Sequence, residues 1–158
     1  MSRRVVVAWT LVVVATVAVV IGQTANPNIG TWKLNPAKSK YAQGTALKSG
    51  TAKIEPAGAG IKTTMDTVNA DGTSRHWEFT ANYDGKDVSI RGNSRNGDMV
   101  ALTRVDAKTF RAVYKKGGKT TVTQTIVIST DGKTRTMTTN GTNAMGQAVD
   151  NVSVWEKQ

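Results

Sequence analysis

His76 and Glu78 stand two residues apart in Ser74–Tyr83 (SRHWEFTANY). On a strand, a histidine and a carboxylate at that spacing point to the same side, which is the minimum for acid–base work or half a metal site. His76 is the chain's only histidine. The alternate positions are Trp77, Phe79, Ala81 and Tyr83, so the pair is expected to face solvent while the aromatics face a core. A zinc site would need further ligands and an acyl-transfer triad would need a nucleophile, and no motif supplies either. There is no cysteine, which excludes disulfides, thiol catalysis and cysteine metal sites. Asp66, Asp71, Asp84, Asp87, Asp98 and Asp131 read as turn formers, because Asp84-Gly85-Lys86-Asp87 brings only two carboxylates where a calcium loop needs a denser set. Gly58-Ala59-Gly60 and Gly117-Gly118 lack the strand-to-helix setting of a phosphate loop. The expectation is therefore no catalytic residue, no metal, no cofactor and no enzyme. The enzymatic alternative would require a pocket around His76 and Glu78.

The elements that would position any site are strands. Thr120–Ser129 alternates Val122, Ile126 and Ile128 against Thr121, Thr123 and Thr125. Thr130-Asp131-Gly132-Lys133 then turns, since Asp-Gly between β-branched runs supplies the positive φ of a tight hairpin. Thr134–Asn140 returns with Arg135, Met137 and Thr139 on one face. The same pattern gives strands over 29–34, 50–55, 61–69, 74–83, 88–91, 99–105, 109–115 and 148–156. Pro36 is expected to end the first of them and to leave one helical turn in 35–41. Ten short strands joined by short turns, with no long helix, make an all-β antiparallel up-and-down meander. Such a sheet leaves its edges unpaired unless it closes, so a barrel is expected, with a two-sheet sandwich as the alternative.

Ahead of the strands, Met1-Ser2-Arg3-Arg4 is a basic start. Residues 5–22 (VVVAWTLVVVATVAVVIG) follow without a charge. That is the plan of an export signal, with residues 1–22 removed, or of an apolar anchor helix over 5–22. Residues 23–28 read as a linker and 29–158 as a single barrel domain, periplasmic or secreted, or else membrane-anchored outside the cytoplasm. The membrane would be touched only through an uncleaved N-terminal segment.

The chain of 158 residues carries a formal charge of +10, and +8 without Arg3 and Arg4. Its basic residues are scattered. They suit contact with anionic envelope polymers through an outer surface but define no site. Nucleic acid is not an expected partner of an exported chain. The threonine ranks, Thr121/Thr123/Thr125 and Thr134/Thr136/Thr138, read as ordinary solvent-face residues.

Two stretches carry a family resemblance. Gly30-Thr31-Trp32-Lys33-Leu34 resembles the Gly-x-Trp opening strand of the calycins, the lipocalins and fatty-acid-binding proteins. Val152-Ser153-Val154-Trp155-Glu156-Lys157 resembles their closing strand. Taken together, Gly30–Tyr41 and Gly141–Gln158 resemble a group of small exported bacterial proteins of uncharacterised function. The resemblance implies a barrel holding one small apolar or amphipathic ligand, or a structural role at the cell envelope. The lining would be Trp32, Met65, Trp77, Phe79, Leu102, Phe110, Tyr114 and Met137. Fatty-acid-binding proteins clamp a carboxylate with an arginine and a tyrosine on the last strand. Ser153 and Trp155 stand at the matching positions here, leaving Arg104 or Arg111 as possible substitutes. The competing reading is a basic module that binds anionic polymer or a protein partner by its outer face.

Overall fold

The computed structural model describes residues 26–158, and the signal or anchor expected over 1–22 lies outside them. The described residues form one antiparallel sheet of eleven strands in a nearly closed barrel, with no helix. In chain order these are β1 (Gly30–Lys40), β2 (Leu47–Ala57), β3 (Gly60–Asn69), β4 (Ser74–Ala81), β5 (Asp84–Ser89) and β6 (Arg91–Gly92). They continue with β7 (Met99–Arg104), β8 (Thr109–Lys116), β9 (Lys119–Ile128), β10 (Thr134–Thr142) and β11 (Ala148–Lys157). Each strand pairs with its chain neighbour from β1 to β4 and from β7 to β11, and β11 returns to pair with β1.

Period-two patterning sets which side is the core. In β9, Val122, Gln124, Ile126 and Ile128 are buried while Thr125 and Val127 are exposed, and in β10 Arg135, Met137 and Thr139 point inward. Trp77, Phe79 and Ala81 of β4 do the same. Trp32 and Trp155 are 0% and 1% exposed, and each fully buried aromatic contributes about 4–6 kcal/mol of transfer free energy as an upper figure. Gly50 makes room for one of them, because a Cβ there would press on the Trp155 ring.

The sheet's two edges belong to one stretch of chain. β5 pairs with β7, and after Ile90 the chain crosses so that β6 pairs with β4 at Trp77↔Gly92 and Glu78↔Arg91. That two-residue ladder is the stitch across the seam. Beside it, between β4 and β5, the sheet parts into an outer cleft lined by Lys62, Glu78, Phe79, Val88 and Arg91. The sequence reading merges β5 and β6 into one strand, because the switch of partner leaves no mark on the side-chain alternation.

The first strand also corrects an expectation. Pro36 does not end it, and 35–41 makes no helical turn. β1 bulges between Asn35 and Lys40, resuming on β11 at Lys40↔Val152. Inside the bulge the Val154 N–H is received by Ser39 Oγ (3.0 Å), and Ser39 Oγ donates to the Asn35 carbonyl (2.8 Å). Proline's missing N–H therefore costs no ladder bond, the usual setting for proline within a sheet.

Gly92 holds the seam at φ +97°, and a Cβ there would run into the His76 carbonyl oxygen. Gly92→Ala is expected to lower stability by about 2–4 kcal/mol, combining backbone strain with the clash. Gly72→Ala, at φ +86° in open space, should cost only about 1–2 kcal/mol. Urea unfolding of both variants checks this, and equal losses would mean that the seam's close approach contributes nothing.

Candidate functional site

All eight lining residues expected from the sequence are buried, and seven of them surround one interior cavity: Met65, Trp77, Phe79, Leu102, Phe110, Tyr114 and Met137. Trp32 sits outside it, in the barrel floor, where its Nε1 donates to the Asn28 carbonyl (2.9 Å). The cavity is only about 30 Å³. A second one of about 60 Å³ lies towards the other end of the barrel, and the two share Met65, Trp77, Gln124 and Met137 as walls. Ligand pockets for drug-sized molecules run to roughly 300–1,000 Å³, so this interior is packed around a small space and is not a wide cup.

The first cavity has a charged wall. Arg135, from β10, is 4% exposed and faces Tyr83, Tyr114, Gln124 and Asn28. Its Nε donates to Asn28 Oδ1 (3.0 Å), and Nη1 points at the Met137 sulfur, a weak acceptor. Among the described residues no carboxylate pairs with it. Burial brings its pKa down to about 10, so it remains a cation at neutral pH. Burial likewise pushes the Tyr114 phenol up to about 12, which keeps it a neutral O–H donor. An uncompensated buried charge costs several kcal/mol, because the low-dielectric interior returns little of its lost hydration.

Both ends of the barrel are covered. At the Arg135 end the residues before β1 form a floor: Asn26 Nδ2 donates to Tyr83 Oη (3.0 Å) and Asn26 Oδ1 receives the Asn28 N–H (3.0 Å). Asn28 itself is 2% exposed, so the barrel's contacts begin ahead of Ile29. At the opposite end Arg95, in the β6–β7 connection, donates to the carbonyls of Thr45 and Gly44 and to the side chains of Asn69 and Gln147. One half-buried guanidinium thereby ties together the loops after β1, β3 and β10. Burial lowers its pKa too.

The outer face does not bring His76 and Glu78 together. His76 Nδ1 lies 2.7 Å from Asp66 Oδ1, and Glu78 pairs with Lys62 at 2.8 Å, whose hydrogen bond and charge hold the Glu78 carboxyl below its usual pKa. The register explains this, since His76 stands opposite Asp66 and Glu78 opposite Thr64 beside Lys62. His76 and Asp66 share an open groove of about 770 Å³ with Lys33, Thr51, Ser74 and Arg75. Among the described residues no group of three or more metal-ligating side chains forms.

Neither arginine offered as a carboxylate-binding substitute lines the interior cavities. Arg104 and Arg111 are both exposed, and Arg104 donates to the Asp106 and Ala107 carbonyls. Ser153 and Trp155 face inward but bond each other, Trp155 Nε1 to Ser153 Oγ at 3.0 Å. Arg135 is the fully buried arginine among the described residues. The sequence held the signal, because Arg135 has the parity of Met137, and one cannot line the barrel without the other. Gln124 was marked in the same way by Val122 and Ile126.

Comparison with family models, curated proteins and solved structures finds no match to the chain. The closed antiparallel meander is compatible with a calycin-like barrel on its geometry alone.

Arg135→Met should stabilise the ligand-free protein by about 1–2 kcal/mol. That is the difference between several kcal/mol for the unpaired charge and about 1–3 kcal/mol for the Asn28 oxygen left without its donor. Denaturant unfolding reads it directly, and a loss of stability would show that the guanidinium is already well compensated.

Proposed function

We propose that the barrel binds a small amphipathic acid and is not an enzyme. Arg135 would hold the anionic group, and Met65, Phe79, Leu102, Phe110 and Met137 would enclose the apolar part. The observation that carries this reading is the buried guanidinium without a carboxylate partner among the described residues. An anion brought against it would neutralise the charge where the dielectric is low, and a carboxylate fits the guanidinium fork with two parallel bonds. The Tyr114 phenol supplies a further neutral donor on the same wall.

Size follows from packing. The cavity beside Arg135 has room for about two waters' worth of atoms. A longer ligand needs Met65 and Met137, unbranched and flexible, to swing aside. The apolar tail is therefore short, and affinity should pass through a maximum with chain length. Export, expected from residues 1–22, belongs to the same reading and places the protein among envelope or extracellular metabolites.

One observation favours a second reading. The outer groove beside His76 carries Lys33 and Arg75 on its walls, which suits an anionic polymer or an acidic partner. Retention on an immobilised polyanion that Lys33→Glu weakens would support it. Retention unchanged by that substitution would count against it.

The interior reading is tested by isothermal calorimetry with straight-chain carboxylic acids of four to ten carbons. Binding should be lost by at least about 30-fold in Arg135→Met, as when one partner of a buried charge pair is removed. Affinity should hold level from about pH 6 to 9. It should fall below the ligand's own carboxyl pKa, where the anion disappears. Equal binding by wild type and Arg135→Met would overturn the proposal.

A further inference from the structure

The second cavity, the one of about 60 Å³, has a chemistry of its own. Its walls include Thr45, Thr67, Trp77, Arg95, Asn96, Gln124, Thr139 and Ser153. Two of these groups stand out. Trp77 is 6% exposed and Thr67 3% exposed, and neither the Trp77 Nε1 nor the Thr67 Oγ1 has a hydrogen-bond partner. Buried indole N–H and hydroxyl groups nearly always find partners, and both of these side chains line the same cavity without one in the protein. Trp77 also lines the Arg135 cavity. The two spaces are thus neighbours across a partition made partly of two methionines.

We infer that the ligand is bipolar, an acid that also carries a hydroxyl group a short apolar stretch from its carboxylate, with the hydroxyl received by Trp77 and Thr67. This rests on the acid-binding reading above and specifies the ligand class. The indole can only donate, so the occupant must present an oxygen acceptor. The threonine can donate or accept, and an alcohol satisfies both groups at once. No carboxylate stands among the cavity's walls, so an ammonium group would find no counter-charge there. A second carboxylate is less well served. Arg95, the cation on this wall, already uses both its Nη atoms on four neutral acceptors in the loops. The opposite poles of the interior therefore ask for different groups, a full negative charge at Arg135 and a neutral hydroxyl at Trp77. Between them Met65 and Met137 provide a compliant apolar waist.

The test compares two matched series on the full domain by calorimetry: straight-chain acids of four to ten carbons, and the ω-hydroxy acids of the same lengths. At the best length the hydroxy acid should bind roughly 3–10-fold more tightly than its unsubstituted partner, the effect of one satisfied buried hydrogen bond. In Thr67→Val, which keeps the shape, that ratio should fall towards one. Trp77→Phe, which keeps a ring but loses the N–H, should reduce it in the same way, and serves should the valine variant fold poorly. Each variant's own unsubstituted acid is the reference, so a general loss of affinity does not imitate the effect. Equal affinities for the two series in the wild type would show that water alone answers these groups, and would overturn the inference while leaving the acid-binding proposal standing. A ratio preserved in both variants would overturn it as well. If no acid of either series binds, the acid-binding proposal fails and this inference falls with it.

Discussion

A sheet that curls until its first and last strands meet still has to dispose of two edges, and here both are carried by the nine residues from Asp84 to Gly92. The pairing of β1 with β11 is broad and joins Trp32 and Leu34 to Lys157 and Trp155. The other closure is narrow, resting on the crossing at Ile90 and on Gly92 lying against the His76 carbonyl. Everything inside depends on this stitch. Without it β4 would be a free edge, and water would reach the Trp77–Phe79–Ala81 face through the open seam.

Closure forces a choice about the interior. Eleven strands leave room for side chains and little else when those side chains are tryptophan, phenylalanine and methionine, and the two cavities among the described residues are correspondingly small. A filled barrel needs no arginine. A purely structural core would place leucine or methionine at position 135 and gain stability. The buried guanidinium and the unpartnered groups of Trp77 and Thr67 are costs to folding, and a ligand that answered them would turn each cost into binding energy. The ends of the barrel fit that logic. The floor is built from neutral asparagines that hold Arg135 in place, and the roof is a loop network gathered on Arg95.

Much of the fold was legible because alternation is a local property. Trp77, Phe79, Phe110 and Tyr114 announce the core by their own neighbours. What was not legible depended on partners distant in sequence. Asp66 and His76 are ten residues apart and meet only through the β3–β4 register. Pro36 reads as a strand end until β11 is seen to bridge the bulge through Ser39. Arg135 shares its face with Met137, yet charged side chains are almost never fully buried without a partner, so parity alone does not announce its burial. This position breaks a sound general rule, and such breaks concentrate where proteins bind or act.

A guanidinium that receives an anion inside the barrel reports the event at its own nitrogen. The most direct measurement is the ¹⁵N resonance of the Arg135 Nε–H, assigned by its absence in Arg135→Met, followed while a short-chain carboxylate is added. This resonance should show a saturable shift together with the Trp77 indole signal, while the exposed Arg104 and Arg111 stay where they are. Movement confined to the exposed arginines, with Arg135 silent at saturating acid, would contradict anion binding at Arg135.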